Sequence, residues 1–279
     1  MKKAIRVLVA SLLCCAVSVP VVSAENEEEK KAHPHRGGAL RLGAFWVFQI
    51  DTTVGVKSQD FPLAIAIDVT KDLGVTDSAT VPRAMFSYRF TKHSQLDFDW
   101  FRIEREAVKR LERTIEIGPV EFPIGFEAAS FSDLAIYKAV YTWLFHDDPK
   151  VTLGLSAGIN VVDFDFGIDA GPDRIGDEGF SESAGVTAPL PVLGGRLVYR
   201  ISPKFSVLFT ADVLMVKYGD YSGTFQDVYA LAEYRLSKRF GIGGGLNVLG
   251  LDLTVDGDDR LGRFQNTLTG VMIFGAVYF

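Results

Sequence analysis

Cysteine is almost missing from this chain. Cys14 and Cys15 are the only two among 279 residues, and they sit side by side in the first apolar stretch. Once that stretch is removed, disulfides, thiol catalysis and cysteine-bound metals are all excluded. Long apolar runs are just as scarce. After the run at 7–22 no segment approaches the roughly 20 residues a spanning helix needs. Histidine is limited to His33, His35, His93 and His146, and neither a P-loop nor an HExxH string occurs. A basic excess is absent too, with 29 Lys and Arg against 35 Asp and Glu. That balance argues against a nucleic-acid partner, which requires a concentrated basic face.

The start of the chain reads as an export signal. Lys2, Lys3 and Arg6 precede the apolar run, and Val22-Ser23-Ala24 offers a small-residue cleavage site. The segment 1–24 is therefore expected to be a signal peptide. Leu13 before Cys14 does not suit a lipid-modified cysteine, so no lipid anchor is expected. Cleavage removes three basic and no acidic residues, moving the formal net charge from −6 to −9. The segment 25–38, ENEEEKKAHPHRGG, is charged and lacks large apolar side chains, and is expected to be a disordered leader.

Over 39–279 apolar residues recur with a period of two, the signature of strands. Leu40, Leu42, Ala44, Trp46, Phe48 and Ile50 form one such row; Tyr137, Tyr141, Trp143 and Phe145 belong to another. Ten segments of this kind are expected, and their connections alternate in length. Those near Lys92, Pro149, Pro203 and Lys238 are short; the others are long and carry much of the Gly, Asp and Ser. Strands of about 9–11 residues, short turns on one side, long loops on the other and an even count describe a transmembrane β-barrel. Phe90, Trp143, Phe145, Tyr199 and Phe205 flank the short turns, where an interfacial aromatic girdle would lie. The segment 61–75 and the one around Gly118-Pro119 read as additional strands, the latter as a ribbon beyond the membrane. Counts of eight or twelve are therefore the alternatives to ten.

The last stretch, TLTGVMIFGAVYF, is an apolar strand ending on Phe279, with Val277 and Phe279 on one face. It resembles the closing strand of bacterial outer-membrane β-barrels, although Phe274 takes the usual glycine position and Gly275 comes one place late. In architecture and closing strand the chain resembles small OmpA-like and OmpW-like barrels of the porin-type superfamily. The resemblance implies an all-β, antiparallel up-and-down barrel in the outer membrane of a Gram-negative cell, with short periplasmic turns and long external loops. It also implies that Val277 and Phe279 serve as an insertion signal for the barrel-insertion machinery.

The other face of the strands holds the candidate functional residues. Arg89, Asp97, Asp99, Lys138, Arg196, Arg200, Asp212, Glu233 and Arg235 are expected to face the lumen and to pair across it, since unpaired charge in a narrow interior is costly. They could line a narrow ion or small-solute channel, or fill the barrel and hold it shut. Arg83 and Asp252 are placed on the same face. Arg102, Arg105, Lys109, Arg110 and Arg113 form a cationic arc at the external lip, where lipopolysaccharide phosphates would be the partner. They alternate with Glu104, Glu106 and Glu112, which would neutralise them. The expected function is a structural or surface-interaction role without catalysis or cofactor. A lipid-modifying enzyme is disfavoured because His93 and His146 fall in short turns on the periplasmic side.

Overall fold

The computed structural model describes residues 37–279 except 59–60, 113, 118–119, 123, 126, 172–179, 219–220 and 257–259. The expected signal peptide and nearly all of the expected leader lie outside these residues. The elements are β1 (Gly37–Ser58), β2 (Phe61–Asp68), β3 (Ala79–Thr91), β4 (Ser94–Arg110), β5 (Ile115–Ile117), β6 (Val120–Phe122), β7 (Glu127–Asp147), β8 (Val151–Gly171), β9 (Phe180–Arg200), β10 (Phe205–Tyr218), β11 (Tyr221–Arg235), β12 (Phe240–Asp256) and β13 (Arg260–Tyr278). β1 begins before the expected end of the leader, because Gly37 and Gly38 already pair with Arg89 and Tyr88.

Ten strands pair antiparallel in the order β1, β3, β4, β7, β8, β9, β10, β11, β12, β13, and β13 returns to β1 to close the barrel. In the half of the barrel next to the short turns closure leaves no unpaired edge, the condition under which a sheet can cross a bilayer. The two ambiguous segments do not raise the count. β2 folds back on the upper part of β1, and β5–β6 is a separate ribbon in the β4–β7 connection. Much of the length expected as external loop is strand. β8 and β9 each run for 21 residues. That is well beyond what a bilayer requires.

Each long strand changes character partway up. On β12 the outward residues are Phe240, Ile242, Leu246 and Val248, all exposed, and then Asp252. On β4 they are Leu96, Phe98 and Trp100, then Arg102 and Glu104. The inward face changes in the opposite sense: Gln95, Asp97 and Asp99 give way to Phe101 and Ile103, and Ser156 and Asn160 to Phe164 and Phe166. Near the short turns the barrel is apolar outside and polar inside; farther up it resembles a water-soluble protein. Asp252 therefore faces outward, contrary to the expectation, and bonds Arg263 on β13 at 2.8 Å, while Leu249 and Leu251 are buried inside.

Two β-bulges re-aim side chains that strict alternation misplaces. The β1–β13 register shifts between Val47 and Gln49, so Phe48 and Gln49 both face out and Ile50 turns inward, 1% exposed. The β7–β8 register shifts between Leu144 and His146, which brings Asp147 inside. Higher up, the wall opens in two places. β9 pairs with β10 only from Leu193 to Arg200, and β3 with β4 only from Arg83 downward. Pro189, Pro191 and Pro82 lie immediately above those limits and cannot donate to a further ladder. Phe164 of β8 packs on Phe264 of β13 at 4.4 Å between the two resulting leaves.

The displaced glycine of the closing strand is explained by its neighbours. Phe274 points inward, buried, and its direct cross-strand partners are Gly43 on β1 and Gly243 on β12. A Cβ at Gly43 would lie 2.7 Å from the Phe274 Cβ, and one at Gly243 would collide with its ring. The glycines that make room for Phe274 stand on the flanking strands, while nothing lies within 4 Å of a Cβ at Gly275. Gly243→Val is expected to destabilise the barrel by about 1–3 kcal/mol through overpacking. Gly275→Ala should be close to neutral. Urea unfolding in phospholipid vesicles measures both.

Candidate functional site: a charged lumen

Short turns place both ends of the barrel wall at one rim. There Gly38 N–H donates to the Phe279 carbonyl at 2.7 Å, and Phe279 N–H to the Gly38 carbonyl at 3.1 Å. Phe279 stacks on Phe86 with ring centroids 6.1 Å apart, and Val277 and Phe279 both face outward. The inward residues then build the lumen in tiers.

At bilayer height, Lys138 of β7 reaches across to β10 and β11. Its ammonium contacts Asp212 and donates to Asp227 Oδ2 at 2.9 Å. Arg83 of β3 forks onto Asp99, at 3.0 Å and 2.5 Å, and its third nitrogen donates to Asn247 Oδ1 on β12 at 2.6 Å. Asn247 Nδ2 in turn donates to Asp227 Oδ1 at 2.7 Å, which joins the two clusters into one network. The Arg83 guanidinium is 4.8 Å and 4.9 Å from the ring centres of Phe45 and Phe101, and the Lys138 ammonium 5.4 Å from that of Tyr229. At such distances the ring faces attract the cations. All the charged members are buried.

Toward the short turns a second tier crosses the lumen. Arg196 of β9 donates to Asp97 of β4 at 3.3 Å, and Arg41 of β1 to Glu233 of β11 at 2.7 Å. Arg89 donates to Asp147 at 2.8 Å, and Arg200 donates to the Asp148 carbonyl at 3.1 Å. Arg235 lies over the Tyr278 ring at 4.3 Å. In the turn itself, the Val151 and Lys150 N–H groups and His146 donate to the Asp148 carboxylate and hold it below its ordinary range.

The residues expected in the lumen from Arg89 to Arg235 thus all lie on the inward side of the wall. Sequence reading missed Asp227 and Asn247, and left Arg41 out of the lumen set. Their parity with Gly43, Tyr229 and Leu249 was the available signal. It also missed Asp147, which only the bulge turns inward. The string at 154–158 spells G-x-S-x-G and was passed over as well. A nucleophile of that motif sits on a strand–turn–helix elbow. Here the string lies within continuous β8, and Ser156 donates to Asp212 at 3.3 Å.

The cationic arc divides between faces. Arg102 is outward and paired with Asp133 and Glu104. Arg110 is outward and donates to the Gly125 carbonyl at 2.8 Å. Arg105 is not at the lip. Alternation carries it inside, above the apolar belt, where it donates to the Thr76 carbonyl at 3.0 Å, Ser132 Oγ at 3.1 Å and Thr52 Oγ1 at 3.2 Å. Burial without a carboxylate partner pushes its guanidinium down to about 10. Lys109 is half-buried and donates to the Lys71 carbonyl at 2.7 Å, so it too leaves the lipid-facing set. Arg113 lies outside the described residues. His93 Nδ1 is 2.8 Å from the Leu144 carbonyl, and the Ser94 hydroxyl bonds Tyr141 instead of the histidine.

A closed barrel with a continuous apolar outer belt, rimmed by Trp143, Phe145, Tyr199 and Phe240 and enclosing buried charge, has the organisation of an integral outer-membrane protein. The chain is an outer-membrane β-barrel of ten strands. No family model matches it, and no curated protein sequence does. Among solved structures, the outer membrane protease OmpT from Escherichia coli is similar at 9% identity and a TM-score of 0.48, over 86% of this chain and 97% of that one. OprG from Pseudomonas aeruginosa is similar at 12% identity and 0.39, over 88% and 97%. Ail, the attachment invasion locus protein of Yersinia pestis, is similar at 11% identity and 0.32, over 88% and 99%. The assignment stands on the belt, the seam and the interior themselves.

Removing one partner of a buried charge network strands the others. Lys138→Ala leaves Asp212 and Asp227 without their shared cation, and a loss of about 3–5 kcal/mol is expected. Lys138→Met combined with Asp212→Asn and Asp227→Asn is expected to recover most of it. Urea titrations in vesicles compare the two.

Proposed function

We propose that the protein is a non-catalytic barrel with a structural or surface-interaction role, its lumen held shut by the charge network at bilayer height. The observation that carries this reading is the bridging of opposite walls by Lys138 and Arg83, each with its bonds directed to groups on other strands. Ten strands enclose little more space than the eight whose side chains fill a barrel. Two such clusters, backed by Phe45, Phe101 and Tyr229, are therefore enough to occupy the section.

The histidines support the absence of catalysis. The two among the described residues, His93 and His146, lie at the short-turn rim, His93 against a backbone carbonyl and His146 against Asp148. The partners on this reading are outer-membrane lipid and lipopolysaccharide, met by the aromatic girdle and by Arg102 and Arg110 above it, and the barrel-insertion machinery, met by the outward row of Val277 and Phe279.

In planar bilayers the purified protein is expected to give no steady current steps. Arg83→Ala with Lys138→Ala, which empties the same section from two sides, is expected to give them. Stable, ion-selective steps from the unaltered protein would contradict closure and favour the narrow channel.

A further inference from the structure

Inside the short-turn rim the lumen widens into a cavity of about 390 Å³. That lies within the range of small-molecule sites. Its lining is unbalanced in charge. Arg41, Arg89, Arg196, Arg200 and Arg235 reach it, and among the described residues Glu233 is the one acidic side chain in the lining. A smaller recess of about 90 Å³ shares Arg200, Arg235 and Glu233 with it and adds Lys204 from the β9–β10 turn.

The carboxylates that serve these cations are already engaged. Glu233 accepts Arg41 on one oxygen and Tyr278 on the other, at 2.7 Å and 2.6 Å. Asp147 accepts Arg89 and Thr152, at 2.8 Å and 2.6 Å. Asp97 accepts Gln95 on both oxygens, with Arg196 and Thr142 as further donors. Among the described residues, Arg200 is left with a backbone carbonyl and an Asp147 oxygen 3.7 Å away, and Arg235 with the Tyr278 side chain. Neither contact uses up a guanidinium, which carries five donors in a planar fork suited to carboxylate or phosphate. A concave cavity with low-dielectric walls also concentrates the field of such charges.

We propose that this vestibule is a binding site for a small polyvalent oxyanion, a phosphate ester or a polycarboxylate, entering from the periplasmic side. Arg200 and Arg235 supply guanidinium donors to spare and Lys204 the entry charge, while Arg41, Arg89 and Arg196, each held by its own carboxylate, frame the site. The site lies below the Lys138 tier and does not depend on whether the barrel conducts.

Calorimetric titration of the refolded full chain in zwitterionic detergent at low ionic strength tests this, with inorganic phosphate, pyrophosphate and citrate as probes. Saturable one-to-one binding of at least one polyvalent probe is expected. Arg200→Gln and Arg235→Gln should each weaken it at least tenfold, and Arg200→Lys, which keeps the charge but loses the fork, should fall between Arg200→Gln and the unaltered protein. Arg102→Gln, on the outer face at the far end, should leave it unchanged. Stronger pyrophosphate binding assigns phosphate esters, and stronger citrate binding polycarboxylates. Heat-dependent gel mobility reports folding of each variant. Absence of saturable binding by all three probes, or equal binding by folded Gln variants, would overturn the proposal. A current in bilayers would bear only on closure.

Discussion

A strand that passes from hydrocarbon into water must exchange the faces on which it carries apolar side chains. In the bilayer the outward face meets lipid and the inward face can hold polar groups; in water the requirement is the reverse. The long strands of this barrel make that exchange at a common height. Above it, Phe101, Phe164, Leu249 and Leu268 form an apolar interior beneath an outer surface carrying Arg102, Asp133 and Asp252. Below it, Lys138, Arg83, Asp212 and Asp227 occupy an interior wrapped in Trp143, Tyr199, Ile242 and Ile273.

The buried charges follow from that exchange. A barrel this narrow has no room for a wide aqueous channel, so the charges that face inward at bilayer height must be held by one another. Lys138, Asp227, Asn247, Arg83 and Asp99 do so in one connected chain of bonds across opposite walls. Such a network specifies register as well as occupying space: a one-residue slip of β7 or β11 would send Lys138 or Asp227 into lipid.

Much of this was legible in the sequence. Period-two alternation located the ten strands, the short turns set their direction, and the parity of Lys138, Arg196, Asp212 and Glu233 placed them inside. What could not be read came from events that alternation does not encode. The bulges at Phe48 and Phe145 each add a residue, turning Ile50 and Asp147 inward. The exchange of faces above Val248 reversed the reading of β12: Asp252 stands outside, and the leucines of the opposite row, Leu249 and Leu251, stand inside. Arg105 was read as part of a linear basic arc, although its neighbours in the strand already assigned it to the interior. Phe274 became intelligible only when register set it between Gly43 and Gly243, the former on a strand far from it in sequence.

The exchange of faces can be followed directly along β12. After replacement of Cys14 and Cys15, nitroxide labels placed one at a time from Phe240 to Thr254 report oxygen and water access in lipid vesicles. Ile242, Leu246 and Val248 should be open to oxygen, Leu249 and Leu251 shielded from both, and Asp252 and Thr254 open to water-soluble relaxant. Oxygen access at Leu249 and Leu251, or shielding of Asp252 and Thr254 from the water-soluble relaxant, would contradict the account.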